Sequence, residues 1–217
     1  AMIKIKSFVF NPFYENTYLV YCSDSLEGMV IDPGMYFAEE KDEFRSYISS
    51  ESINLKYVLN THCHIDHSLG NKYIVDEFNA ELIIPEKDKF LLELLKTQGS
   101  MFELDIEESP NTIKYFENIA ELKLGENKFN FIHTPGHSPG ENCIYSIENN
   151  ICFTGDLLFK EGIGRTDLWG GNLNELMDSI KKLFSILHDD IKIFPGHGEF
   201  STIGYEKRNN PYIVNIK

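Results

Sequence analysis

Thr61-His62-Cys63-His64-Ile65-Asp66-His67 is the stretch on which the reading of this chain turns. The protein has seven histidines in 217 residues, and three of them fall inside this short run. In an extended backbone, side chains two residues apart point the same way, so His62 and His64 can meet one ion. Asp66 and His67 lie beyond the bend and can face a second ion. Imidazole and carboxylate donors without an essential thiolate suit zinc, and also iron or manganese. Just before the run, Tyr57 to Leu59 reads as a short buried strand. Just after it, Asp66 to Phe78 reads as a helix, with Asp66 in the first turn, where a carboxylate suits the positive helix end.

Two later histidines stand in matching settings. Thr134-Pro135-Gly136-His137 follows a strand ending at His133, and Phe194-Pro195-Gly196-His197-Gly198 follows a strand from Lys192. Proline ends each strand, and glycine permits the tight turn that presents the imidazole. Phe153-Thr154-Gly155-Asp156 does the same with a carboxylate. One Pro-Gly-His would be weak evidence, whereas two of them, a Gly-Asp and the histidine run together point to metal ligands gathered at one edge of a sheet. His133 reads as a strand-end residue bonded locally, and His188, late in a helix, as a surface residue.

The rest of the chain supplies the sheets. Ile3 to Phe10, Thr17 to Cys22 and Gly28 to Ile31 are rich in β-branched and aromatic residues and read as strands. So do Leu82 to Ile84, Thr112 to Phe116, Glu121 to Leu124, Lys128 to His133, Asn142 to Ile147, Ile151 to Thr154 and Lys192 to Phe194. Ala38 to Ser50, Glu86 to Thr97 and Leu173 to Leu187 read as amphipathic helices, and Gln98 to Pro110 as irregular. Strands and helices are mixed, with helices outside the sheets. The halves look loosely alike, without a clean repeat or linker, so residues 2–217 are taken as one domain.

Composition narrows the function. Apolar residues make up 42%, with 16 Phe and 11 Tyr, enough for a sizeable sheet-rich core. A net charge of −14 disfavours nucleic acid and an anionic membrane surface as partners, but not a small-molecule substrate beside bound cations. No apolar run is long enough for a membrane span, and the N-terminus lacks a signal peptide's apolar stretch, so the cytoplasm is the expected compartment. Cys22, Cys63, Cys143 and Cys152 form no C-x-x-C pair, and the three in strand-like runs read as buried reduced thiols. Oligomeric state is left open.

Thr61 to His67, followed in order by Pro135-Gly136-His137, Gly155-Asp156 and Pro195-Gly196-His197-Gly198, resembles the signature of the metallo-β-lactamase superfamily. Gly164-Arg165-Thr166-Asp167, Thr202-Ile203-Gly204-Tyr205-Glu206 and Asn210-Pro211 resemble its short glyoxalase II-like hydrolases. The likeness runs from Ile3 to Pro211. It implies an α+β fold, a four-layer αββα sandwich with the metals at one edge. It implies one divalent ion on His62, His64 and His137, a second on Asp66, His67 and His197, and Asp156 bridging them. Asp32, after Met29-Val30-Ile31, matches an early aspartate expected to orient the histidines from behind.

The activity so implied is hydrolysis of a small thioester, such as a hydroxyacyl-glutathione, by a hydroxide shared between two ions, zinc first, iron or manganese next. Asp66 is the expected catalytic residue, orienting that hydroxide. A thiolate leaves readily, because a free thiol has a pKa of only about 8.5. Full-length glyoxalase II enzymes carry a C-terminal helical extension with basic residues for glutathione. This chain ends at Lys217, so another small thiol carrier stands beside glutathione. The rival readings are a mononuclear iron persulfide dioxygenase, a lactonase or β-lactamase, and a catalytically silent metal-binding module. Glu86 to Tyr115 has the character of an insertion, from which Met101 and Phe102 could roof the substrate pocket while Phe13 walls it.

Overall fold

The computed structural model describes residues 2–214; the last three positions of the expected 2–217 domain lie outside the described residues. Its first sheet holds β1 (Ile3–Phe10), β2 (Glu15–Cys22), β3 (Glu27–Ile31), β4 (Asn54–Leu59), β5 (Glu81–Ile84) and β6 (Ile113–Tyr115), side by side in sequence order. β1 to β3 pair antiparallel, and β3 to β6 pair parallel. β3, β4 and β5 therefore all end at one edge, the edge from which the Asp32 turn and the histidine run emerge.

The intervening helices are α1 (Ala38–Ser50), α2 (Ile65–Ser68), α3 (Asn71–Phe78), α4 (Lys89–Glu93) and α5 (Leu95–Met101). Beyond β6 come β7 (Leu122–Leu124), β8 (Asn127–His133), β9 (Asn142–Ser146) and β10 (Ile151–Gly155). A small hairpin of β11 (Leu158–Phe159) and β12 (Gly162–Ile163) follows, then α6 (Leu173–Ile186), β13 (Lys192–Pro195), β14 (Ser201–Thr202) and α7 (Ile203–Asn209). The second sheet has the order β14-β13-β10-β9-β8-β7. β8 and β10 both run antiparallel to β9, and β13 runs parallel to β10, so all three end at the same edge of this sheet.

Alternation along the strands sorts the side chains into layers. β2 is buried along its whole length: Tyr18, Val20 and Cys22 face the second sheet, while Leu19 and Tyr21 face the helices. In β10, Ile151 and Phe153 point between the sheets and Cys152 points outward to α6. Three apolar clusters thus separate four layers. One lies under α1 and α3, one between the sheets, and one under α6, whose Leu176, Ile180 and Leu183 repeat at helical spacing. Each large apolar side chain so buried contributes about 1.5–3 kcal/mol. The α+β four-layer αββα sandwich expected from the sequence is the fold observed.

Several element boundaries differ from expectation. Asp66 to Phe78 is not one helix but two, α2 and α3, broken at Leu69-Gly70. The Gly70 N–H donates to Pro33 O at 2.7 Å, and a side chain there would meet the Met35 sulfur, so the chain is pinned to the Asp32 loop before the helix restarts. Glu86 to Thr97 is a single 3-10 turn (Glu86–Asp88) followed by α4 and α5, interrupted at Leu94, and α5 extends into the stretch expected to be irregular. The Gln98 amide donates to Leu91 O at 2.8 Å and caps the break. β11, β12, β14 and α7 were not foreseen; they are too short for periodicity to register. His188 is exposed and lies past the end of α6.

Candidate metal centre

Six chain segments meet where the two strand edges face each other. The first sheet brings Asp32 after β3, His62 to His67 after β4, and the Asn11–Tyr14 turn between β1 and β2. The second brings His137 after β8, Asp156 after β10 and His197 after β13. Hydrogen bonds join the edges: Asn16 N–H to Gly196 O at 2.7 Å, the Asn16 amide to Pro195 O and Gly198 O, and Asn142 N–H to Thr61 O at 2.8 Å. Gly196 is required by proximity, since a Cβ there would stand 2.2 Å from Asp156 Oδ1 and 2.5 Å from His67 Cε1.

The expected residues converge in two groups. Donor atoms of His62, His64 and His137 lie within 4.8 Å of one another, as do those of Asp66, His67 and His197. His64 Nδ1 and His137 Nε2 are 2.9 Å apart. Asp156 stands between the groups. Its Oδ2 is 3.5 Å from His137 Nε2 and 3.6 Å from His197 Nε2, and its Oδ1 is 3.4 Å from His67 Nε2. Asp32 lies behind them, accepting the Thr61 N–H at 2.7 Å, the Thr61 hydroxyl at 2.7 Å and His67 Nδ1–H at 3.0 Å. A left-handed backbone at Asp32 (φ +52°) turns its carboxylate into this position.

These partners assign the tautomers. His67 Nδ1 carries the proton it gives to Asp32. The Thr61 hydroxyl spends its proton on Asp32, so it accepts from His62 Nδ1–H at 3.1 Å. His137 Nδ1–H donates to Arg165 O at 2.8 Å. The remaining nitrogen of each ring, Nε2, is turned inward. His62 Nε2, His67 Nε2 and Asp156 Oδ1 are buried and have no hydrogen-bond partner. Buried polar atoms left unpaired cost about 1–3 kcal/mol each, and a cation that displaces the proton favoured on His67 by the surrounding carboxylates would satisfy all three. His197 faces Tyr14 O through Nδ1 at 3.3 Å and Asp66 Oδ2 through Nε2 at 2.9 Å. The ring is held there either as an imidazolium or by an ion between Nε2 and the carboxylate. The donor set fits divalent metal.

The two groups differ in charge. Burial pushes His62 well below the ordinary histidine range, with the His67 and His137 rings adding to it. Burial and then His137 push His64 down to about 3. Both are neutral at pH 7. Burial would lower His67 as well, but Asp66, Asp156 and Asp32 outweigh it and hold the ring well above its ordinary value. At His197 burial is likewise outweighed, by the bond to Asp66 and the charge of Asp156. Burial works to raise Asp66 and Asp156, yet the surrounding imidazoles keep both low and ionised.

Three buried carboxylates escaped the sequence reading. Glu15 lies with Oε1 3.9 Å from His67 Nδ1 and takes the Thr17 hydroxyl on Oε2 at 2.8 Å. Glu141 lies 3.7 Å from His62 Nδ1 and accepts the Asp156 N–H at 2.7 Å. Asp88 is bonded to the His62–His64 and His137–Gly140 segments. Glutamate at a strand end or after Pro-Gly reads as solvated, and no local pattern signals its burial.

Of the residues suggested for substrate, Phe13 and Phe102 meet edge to face with centroids 4.9 Å apart, and the Asn11 amide behind them donates to Asp66 O at 3.0 Å. Met101 is two-thirds exposed on the last turn of α5. No helix of the described residues is long and apolar enough to cross a membrane.

A family model described as the metallo-beta-lactamase superfamily matches residues 10–197. The hydroxyacylglutathione hydrolase GloC of Haemophilus influenzae is 38% identical over 203 residues, covering 93% of this chain and 93% of its own. BLEG-1, a B3 metallo-beta-lactamase, superposes with a TM-score of 0.88 at 29% identity, over 98% of this chain and 100% of its own. TTHA1623, solved in a di-iron-bound form, superposes with a TM-score of 0.85 at 30% identity, over 96% and 100%.

Proposed function

Because the chain belongs to the metallo-beta-lactamase superfamily, we propose that it is a dinuclear metal-dependent hydrolase of small thioesters, with a hydroxyacyl-glutathione as the first candidate. The observation that carries the metal reading is the convergence of buried side-chain atoms without hydrogen-bond partners at His62, His67 and Asp156. The choice of thioester is supported by the likeness to GloC.

His62, His64 and His137 would hold one ion, Asp66, His67 and His197 the other, and Asp156 would touch both. Such ions lower the pKa of water toward about 7 and polarise a carbonyl oxygen. Asp66 would orient the attacking water by accepting its hydrogen bond at Oδ1, the oxygen not engaged with His197. Asp32 and Thr61 keep the protons of His67 and His62 on Nδ1, so that Nε2 stays a donor of its lone pair. The departing thiolate needs no proton donor. Phe13 and Phe102 form an apolar wall for the acyl or thiol portion. Zinc is the proposed metal, and iron is second, supported by the di-iron form of TTHA1623.

The deciding experiment is loss of thioester absorbance from S-lactoylglutathione with purified, zinc-loaded protein, alongside metal analysis. Turnover that vanishes in His64→Ala supports the reading. Two bound metals without turnover discard glutathione thioesters and leave a metallohydrolase of another substrate. A β-lactam or lactone is the second reading, favoured by the likeness to BLEG-1, and hydrolysis of a chromogenic cephalosporin in the same preparation separates the two.

A further inference from the structure

Asp88 belongs to none of the motifs that point to metal. It ends the 3-10 turn Glu86–Asp88, is wholly buried, and lies in the segment with the character of an insertion. Its carboxylate accepts three hydrogen bonds: Cys63 N–H on Oδ2 at 3.2 Å, the Ser138 hydroxyl on Oδ2 at 2.6 Å and Gly140 N–H on Oδ1 at 2.6 Å. Cys63 sits between His62 and His64, and Ser138 directly follows His137. One carboxylate therefore spans the two segments that carry all three imidazoles of the first group. All three bonds end there, and none runs to Asp66, His67 or His197.

The fit is close. A Cβ at Gly140 would stand 2.7 Å from Asp88 Oδ1 and 2.8 Å from Pro85 Cβ, so a side chain there would crowd the carboxylate. Bonds to an ionised acceptor are roughly twice as strong as neutral ones, and three donors require acceptors at both oxygens. An amide cannot replace it, because its NH2 would oppose either Gly140 N–H or the Cys63 and Ser138 donors. The two segments it joins are those whose rings approach to 2.9 Å at His64 Nδ1 and His137 Nε2.

We infer that Asp88 is a positioning residue that sets the spacing of the His62, His64 and His137 imidazoles and thereby the affinity of that group, and not of the Asp66, His67 and His197 group, for a divalent cation. The inference rests on the reading of both groups as metal sites.

Its test is titration of metal-free, full-length protein with cobalt(II) against a competing chelator, read by visible absorption and metal analysis. His137→Ala and His197→Ala identify which binding step belongs to which group. Wild type is expected to bind two ions. Asp88→Asn is expected to weaken the step lost in His137→Ala by roughly 10–100-fold, the range for residues that support ligands from behind, and to leave the other step unchanged. Ser138→Ala, which removes a single donor, should give a smaller loss confined to the same step, and it decides the matter if Asp88→Asn fails to fold by circular dichroism. Equal weakening of both steps, or wild-type affinity in either variant, overturns the inference. Absence of cobalt binding by the wild type removes the metal reading itself, a distinguishable result.

Discussion

Replacing Thr61 by valine tests whether the ring orientations described above are what makes the site. The position is fully buried, and valine matches threonine in shape, so the change exchanges only a hydroxyl for a methyl. Two contacts are lost: the donation to Asp32 Oδ2 at 2.7 Å and the acceptance from His62 Nδ1–H at 3.1 Å. The backbone bonds of residue 61, to Asp32 Oδ1 and from Asn142, are kept. A hydrogen bond to a charged group contributes about 1.5–3 kcal/mol, and the stranded imidazole N–H costs about 1–3 kcal/mol more. His62 can escape by moving its proton to Nε2, but that removes the lone pair offered to metal. The expected outcome is a metal-free melting temperature lower by about 5–15 °C. The affinity of the three-imidazole group should fall roughly 10–100-fold. Thr61→Ser, which restores the hydroxyl, should recover both. Differential scanning calorimetry and cobalt titration measure the two quantities. Wild-type metal affinity in Thr61→Val would refute the claim that the Asp32–Thr61–His62 relay holds the tautomer.

Asp156→Asn removes the charge shared by the two groups, and should lower turnover severely and cost the second equivalent of metal; full activity with normal metal content would exclude a bridging role. The pH dependence of metal uptake should differ between the groups. His67 and His197 are both raised above the ordinary histidine value in the metal-free protein, so they keep their protons to higher pH than a free imidazole. A cation must displace any proton held on the ligating nitrogens, so below those raised values affinity there rises with pH, by about one logarithmic unit per pH unit for each displaced proton. His62 and His64 are lowered and already neutral, so these two rings should add no slope between about pH 6 and 8; a steeper slope for the three-imidazole step than for the other would contradict the charge assignment. Phe102→Ala, which strips the ring packed on Phe13, should raise KM with little change in kcat, and steady-state kinetics identical to wild type would exclude the apolar wall. His188→Ala, at an exposed position away from the centre, should leave metal content and rate unchanged.

The ligand candidates were legible because they come in short, local patterns. His62, His64, Asp66 and His67 share one bend, and His137, Asp156 and His197 each follow a strand closed by proline or glycine. Strand identity was equally local, since the β-branched and aromatic residues of β2, β8 and β10 stand in consecutive runs. The helix breaks at Leu69-Gly70 and Leu94 were not legible: the first is imposed by the bond of Gly70 to the distant Pro33, and the second is closed by a side-chain bond, Gln98 to Leu91, that helical periodicity does not register.

Asp88, Glu15 and Glu141 mark the boundary most clearly. As letters they are three among 34 acidic residues in a chain of net charge −14, and nothing nearby separates them from the solvated majority. Their roles come from burial against partners far along the chain: Asp88 from Gly140, Glu15 from His67, Glu141 from His62. The sequence by itself determined which side chains can bind metal and that they stand at strand ends, because residue chemistry and backbone turns are local properties. Only the tertiary structure decided which lone pairs face inward and which carboxylates hold them there, because a buried charge is stabilised solely by groups that the fold carries to it.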